Sequence, residues 1–418
     1  MERYSEYKDS GIQWIGEIPS HWETRKMKYI FIERSEKNHP NEPVLCATQS
    51  QGVIPQSIYT NRVVVVNKGF DGLKFVKEGD FVISLRSFEG GIEYAYYQGI
   101  ISAAYTILVP NRKAESNYWR YIFKSHPFIQ LLKTCVTGIR EGQNINYPLL
   151  SRKFLPVPPL SEQERIVKFL EGKVLKIDEY IADKEREIQL LKELKEAEIA
   201  KAVTQGLNPN VKMKKYTSLL ADSFPANWTV IRNKSFLSLT GEKVGERAND
   251  FLLLSLTTKG VIVRDVESGK GKFPKDFDTY QVVKMDELVF CLFDIDETPR
   301  TVGLVATEGM ITGAYTALKV NKSLALPEYI YNYYLCVDNI KALRPYYSGL
   351  RKTVRADKFL QLYIPIPPVE EQRAIVEYIN NKCSKVDSLI TELEAEIEHL
   401  KEYKQRLIAD CVTGQIKV

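Results

Sequence analysis

Two stretches of the chain alternate apolar and polar positions with a helical period, and each follows a proline-rich run. In one, Val386, Ile390, Leu393, Ile397, Leu400 and Leu407 recur at steps of 4, 3, 4, 3 and 7, the spacing of a heptad seam. In the other, Val174, Ile177, Ile181, Ile188 and Leu191 trace the same stripe, with Lys184 interrupting it. Each stripe predicts a helix of roughly 40 residues, about 60 Å long at 1.5 Å per residue. A helix that long with one apolar face needs a partner, and the natural partner is the other helix, packed antiparallel. Ser161, three residues before Glu164, predicts a capping box at the start of the first helix. Gly206-Leu207-Asn208-Pro209 predicts its stop, and Gly414 the stop of the second. Elsewhere the pattern is that of short strands, at 62–66, 81–84 and 287–290, with turn signals at Gly69, Asp71-Gly72 and Gly79-Asp80. Further helices are predicted near 115–133 and 327–343.

The two helical stretches are copies. Leu155-Pro156-Val157-Pro158-Pro159-Leu160-Ser161-Glu162-Gln163 returns as Ile364-Pro365-Ile366-Pro367-Pro368-Val369-Glu370-Glu371-Gln372, at an offset of 209 residues that holds without a gap to Val203-Thr204 against Val412-Thr413. Over those 50 positions 22 are identical. The repeat reaches outside the helices: Ile18-Pro19-Ser20-His21-Trp22 is echoed by Phe224-Pro225-Ala226-Asn227-Trp228, Gly99–Thr106 by Gly309–Thr316, and Gly138-Ile139-Arg140 by Gly349-Leu350-Arg351. Between these anchors the copies diverge almost completely. The expected organisation is α+β: globular domains at 1–155 and 209–363, each followed by a helical segment, 156–208 and 364–418, with approximate two-fold symmetry between the copies.

Charge follows the repeat. Residues 1–155 hold 20 Lys+Arg against 15 Asp+Glu and residues 209–363 hold 22 against 17, net +5 each, whereas the helical segments are net −2 and −3. Basic domains on acidic rods point to a polyanionic partner. Six cysteines form no CxxC pair and no zinc spacing with the four histidines, which fits a reduced, cytoplasmic protein, and no stretch has the roughly 18 apolar residues of a membrane span. Catalysis has little to stand on. There is no phosphate-binding G-x-x-x-x-G-K-[ST] loop. Gly269-Lys270-Gly271 reads as a basic turn, and Asn208-Pro209 as a helix stop. The acid pair Asp294/Asp296 has no metal-site companion.

Side chains suited to reading bases cluster in the divergent segments. Arg140, Gln143 and Asn144 lie in a glycine-rich run, and Arg344, Arg351, Lys352 and Arg355 surround the equivalent run of the second copy. Arg, Gln and Asn pair bidentately with guanine or adenine edges in the major groove. The equivalence of Arg140 and Arg351 suggests a phosphate anchor or a loop-orienting role, with their neighbours discriminating bases. Arg86, just after a strand, and Arg300 occupy comparable stretches of the two copies. For each of these residues a surface turn with solvated charges is the alternative.

Together these features resemble the specificity subunit of a type I restriction-modification system, through nearly the whole chain. The resemblance is carried by Tyr7–Trp22, by the P-x-P-P-x-x-E-Q motif before each long helix, and by the Gly206–Pro209 junction. The second copy lacks the Gly-Ile-Gln-Trp-Ile-Gly-Glu stretch before its Phe224–Trp228 motif. The resemblance implies two target recognition domains, each on one half of a split, asymmetric site in double-stranded DNA, and a helical spacer that sets their separation. It implies no cofactor on this chain. Adenine-N6 methylation from S-adenosylmethionine would belong to two docked methyltransferase subunits, and ATP- and Mg-dependent cleavage to restriction subunits. A recognition partner of another methylation-based system and a protein-binding coiled-coil scaffold are the rival readings.

Overall fold

The computed structural model describes residues 2–60, 69–111, 116–137, 144–264, 277 and 279–418. The predicted strand at 62–66 and Gly269-Lys270-Gly271 lie outside them. The chain divides into two compact units, Met1–Glu185 with Glu394–Val418, and Arg186–Leu393. Each unit takes one half of each long helix, Leu160–Gln205 and Val369–Val412.

Both units are α+β and repeat one topology. In the first, an antiparallel four-stranded sheet runs Phe31–Arg34, Thr106–Pro110, Phe81–Ile83, Glu93–Tyr94; in the second it runs Leu237–Leu239, Thr316–Val320, Leu288–Phe290, Val302–Leu304. The register is shared, since Thr106 faces Ile83 and Thr316 faces Phe290. Each proline motif is itself a strand that pairs antiparallel with the segment after the tryptophan motif: Phe154–Val157 with Glu23–Lys26, and Tyr363–Ile366 with Thr229–Arg232. The cores are aromatic. Trp22, Phe81, Trp119, Phe123 and Phe128 are fully buried in the first unit with Leu170 and Val412; Tyr329 and Phe359 are buried in the second with Val203 and Ile375. The long helices therefore finish the domain cores as well as forming rods.

The seam is occupied as its period predicts. Ile181 and Ile397 are buried in the first unit, and Ile188, Ile390 and Leu393 in the second. Lys184 keeps its stem in the seam and carries its ammonium 3.3 Å from Glu396, the behaviour of a long cationic side chain on apolar ground. Asp178–Lys404 at 2.5 Å and Asp387–Lys195 at 2.7 Å are the same pair made once in each unit. In both units the partner positions run antiparallel.

Two local expectations need correcting. The first helix begins at Leu160, so Ser161 lies inside its first turn and is not the cap; the Pro159 carbonyl accepts from the Glu162 and Gln163 amides instead. A proline at the entry loses no hydrogen bond there, because the first-turn donors have no upstream partner. The helix expected near 115–133 is two, Ser116–Lys124 and His126–Lys133. Pro127 cannot accept a helix arriving from upstream and instead sits in the first turn of a new one.

Candidate nucleic-acid interface

The repeated tryptophan, glutamate and glutamine share a structural task. Glu162 accepts from Trp22 Nε1 at 2.7 Å, from His21 at 2.7 Å and from the Tyr4 hydroxyl at 3.2 Å. Glu371 accepts from Trp228 Nε1 at 2.9 Å and from Asn227 at 2.8 Å. Burial works to raise the Glu162 carboxyl, but the hydrogen bonds from Trp22, His21 and Tyr4 outweigh it and hold the group below its ordinary range. Gln163 and Gln372 each donate to a carbonyl of the preceding proline run at 2.9 Å. Gly206 and Gly414, in the left-handed region, end the helices where a Cβ would strike Glu371 in one unit, and Pro19 in the other. These anchors frame each domain and leave the divergent loops to differ.

In the second unit the basic segment folds back on itself. Ser348 and Thr353 bridge a tight turn, with Ser348 N donating to Thr353 O at 2.9 Å and the reverse bond at 3.1 Å. Gly349 and Lys352 take positive φ, and Val354 is buried, donating to Leu292 O at 2.8 Å. This tethers the turn to the loop that follows strand Leu288–Phe290. That loop supplies the carboxylates. Arg351 lies 2.6 Å from Asp294 and stacks over the Phe293 ring at 4.9 Å. Asp296 receives Arg344 and Lys352, both at 3.1 Å, and the Tyr347 hydroxyl at 3.1 Å; hydrogen bonds from Arg344 and Lys352 hold its carboxyl low. Tyr347 is pushed up to about 12 by burial, reinforced by Asp296. Lys352 also meets Glu297, and Arg355 meets Asp357.

Three of the four predicted cations of this segment, Arg344, Arg351 and Lys352, are thus brought to one set of carboxylates, and Arg355 is matched separately by Asp357. Asp294 and Asp296, which carry no sign of metal chemistry in the sequence, are the partners of Arg344, Arg351 and Lys352. Such exposed pairs contribute little to stability, but they fix where the guanidinium and ammonium groups point. Leu350, between Gly349 and Arg351, is fully exposed at 102%; sequence reasoning passed over it because an aliphatic side chain in a charged turn has no periodic signal.

Arg300 stands apart from that cluster. It bonds Asp338 at 3.3 Å and Asn339 at 2.9 Å. Asp338 is buried and also accepts from the Thr301 amide and hydroxyl and from Lys341. Arg300 is thus tied to a buried carboxylate, where the cluster cations meet exposed or half-buried ones. In the first unit, Arg86 is exposed at the start of the short helix Ser87–Gly90. Asn144 is exposed in the strand pair Val136–Thr137/Asn144–Ile145. Arg140 and Gln143 lie outside the described residues. A cleft of about 1120 Å³ in the first unit is lined by Gln49, Gln51, Tyr96, Arg120, Lys404 and the pair of buried Glu93 with half-buried Lys124. Burial raises Glu93 to about 7, against the pull of Lys124 at 2.6 Å. Among the described residues no group of three or more His, Cys, Asp or Glu could hold a metal, and no helix is long and apolar enough to cross a membrane.

The sequence matches the type I restriction modification DNA specificity domain over residues 19–190 and 301–399, more than half of the chain. The chain belongs to that family. Among family relatives, the MjaVIII specificity subunit of Methanocaldococcus jannaschii is 22% identical over 389 residues, covering 86% of this chain and 82% of the relative. The EcoBI specificity subunit of Escherichia coli is 22% identical over 294 residues, covering 64% of this chain and 59% of the relative. In fold, the chain resembles one from a type I restriction-modification system studied for its assembly and conformational transition. That likeness has a TM-score of 0.68 at 15% identity, over 96% of this chain and 99% of the other. It also resembles the HsdS subunit of Thermoanaerobacter tengcongensis, with a TM-score of 0.50 at 15% identity over 96% and 98%. A type I specificity subunit is a DNA-recognition protein, and the duplicated α+β units with divergent loops are its target recognition domains.

Proposed function

We propose that this specificity subunit reads a split, asymmetric target in double-stranded DNA, one half-site per recognition domain, at a separation set by the long helices. The chain itself has no catalytic role in this reading. It docks two methyltransferase subunits and, where cleavage occurs, restriction subunits. S-adenosylmethionine, ATP and Mg are held by those partners, and the reaction of the assembly is adenine-N6 methylation with ATP-dependent cleavage. The observation that carries the reading is the repeat: identical anchors hold two domains whose loops share almost nothing, which suits two different half-sites on one scaffold. Within the second domain Arg344, Arg351, Lys352 and Arg355 face the DNA, with their carboxylate partners exchanged for phosphate or base edges. Arg86, Arg140, Gln143 and Asn144 serve the first domain. Arg300 acts through Asp338 as a positioning residue.

The test is single-molecule sequencing of DNA modification in the host with and without the gene. Loss of N6-methyladenine at one split, non-palindromic motif on deletion is the expected result. A methylome that does not change refutes the reading and favours a scaffold.

A further inference from the structure

We propose that Leu350 is a specificity-determining residue that packs on the C5-methyl group of a thymine in the half-site of the second domain. This rests on the DNA-reading function proposed above and goes beyond it, because the polar side chains around the turn are the obvious readers. Those cations reach DNA only by exchanging their carboxylates, whereas the apex of the turn is free from the outset. Arg351 is held by Asp294 and stacked on Phe293, Lys352 is shared by Asp296 and Glu297, and Arg344 is held by Asp296. The group at the apex that nothing holds is Leu350, fully exposed at 102%. The turn beneath it is braced by the Ser348–Thr353 bridge and by two residues of positive φ, so the side chain is presented on a fixed base.

A leucine there makes no hydrogen bond and supports no core. Its surroundings are cations paired with carboxylates, which suit a duplex once those partners are exchanged for phosphate, and in the major groove the one apolar group offered by a base edge is the thymine methyl. The first copy carries an aliphatic residue, Ile139, at the equivalent sequence position between Gly138 and Arg140, although nearly everything around it has diverged. Half-sites that differ in sequence still share one element under the proposed function: a methylated adenine requires a thymine opposite it.

The experiment uses the assembled complex with its methyltransferase subunits and a duplex carrying the motif recovered from the methylome. Thymines of that half-site are replaced one at a time by deoxyuridine, which lacks only the C5-methyl. Wild type is expected to lose about 4-fold in affinity at one position, the value of one buried methyl. Leu350→Ala is expected to lose about the same on the thymine duplex and nothing further at that position, with its thermal midpoint unchanged. The proposal is overturned if Leu350→Ala binds like wild type or keeps every deoxyuridine penalty. It is also overturned if the variant sheds methyltransferase on gel filtration while DNA affinity holds, which would make the tip a protein contact. Failure of the wild-type complex to prefer its motif over a scrambled duplex would count against the DNA-reading function itself.

Discussion

Replacing Glu371 by alanine should loosen the second unit and leave the first intact. Trp228 is 4% exposed and its indole N–H has Glu371 Oε1 as acceptor at 2.9 Å. A hydrogen bond to a charged group contributes about 1.5–3 kcal/mol, and a buried donor left without a partner costs about 1–3 kcal/mol. These overlap, and the exposed bond from Asn227 is replaced by water, so the expected loss is about 3 kcal/mol. Hydrogen exchange read by mass spectrometry resolves the two units. Protection of the buried amides in Pro327–Asn339 should fall about 100-fold, at 1.36 kcal/mol per factor of ten, while Ser116–Lys124 stays protected. Glu162→Ala should do the reverse, with at least as large an effect, because Trp22 is completely buried and Glu162 accepts three bonds. Glu371→Gln, which keeps a neutral acceptor, should lose only about 1 kcal/mol. If both units lose protection together, or the alanine effect stays under about fivefold, the indole–carboxylate link is not what closes each domain.

The joint variant Asp294→Asn, Asp296→Asn, Glu297→Gln should bind non-specific duplex more tightly, with a salt dependence steeper by up to about one unit per cation released; weaker binding in a filter or fluorescence titration would mean that the acids orient productive contacts. Arg300→Ala should cost about 2 kcal/mol in the second unit, because Asp338 is left with less compensation for its buried charge, and it should not change which bases are preferred once folding is corrected for. The folded Glu93 carboxyl titrates near 7 rather than near 4.5, so between those values the folded chain holds more protons than the unfolded one and stability falls as pH rises. Glu93→Gln should flatten that part of the urea-midpoint profile of the first unit. Glu162 works in the opposite sense, its contribution being complete above 4.5 and lost only as acid titrates the depressed group.

The repeat and the seam were legible because both are patterns in one dimension: an offset of 209 residues and a 3-4 step survive without any knowledge of folding. The domain class followed from short strands between turn signals. What joins distant positions was not legible. Trp22 and Glu162 stand 140 residues apart, and their recurrence as Trp228 and Glu371 announces a shared role without saying that the two side chains meet. The basic turn was visible as a cluster of like charges, yet its neutrality was not, because Asp294, Asp296 and Glu297 reach it through the pairing of separate loops. Arg300 resembled the other candidates in sequence, and only the buried Asp338 beside it separates them. The helix break at Ser125 is hidden in the sequence because apolar periodicity continues across it while Pro127 resets the backbone.

The first unit is assembled from both ends of the chain. Tyr118 donates to the Val412 carbonyl at 2.9 Å, and Leu407, Ile408 and Cys411 are buried in its core, whereas the second unit is one continuous segment. On the ribosome residues 1–185 must therefore wait for 394–418, and the 186–393 segment has all its own parts in hand sooner. A nascent chain stalled before residue 394 would hold a finished second domain beside an exposed aromatic core in the first. The two recognition domains would then be completed in the reverse of their gene order, the first only once translation has run through the second helix.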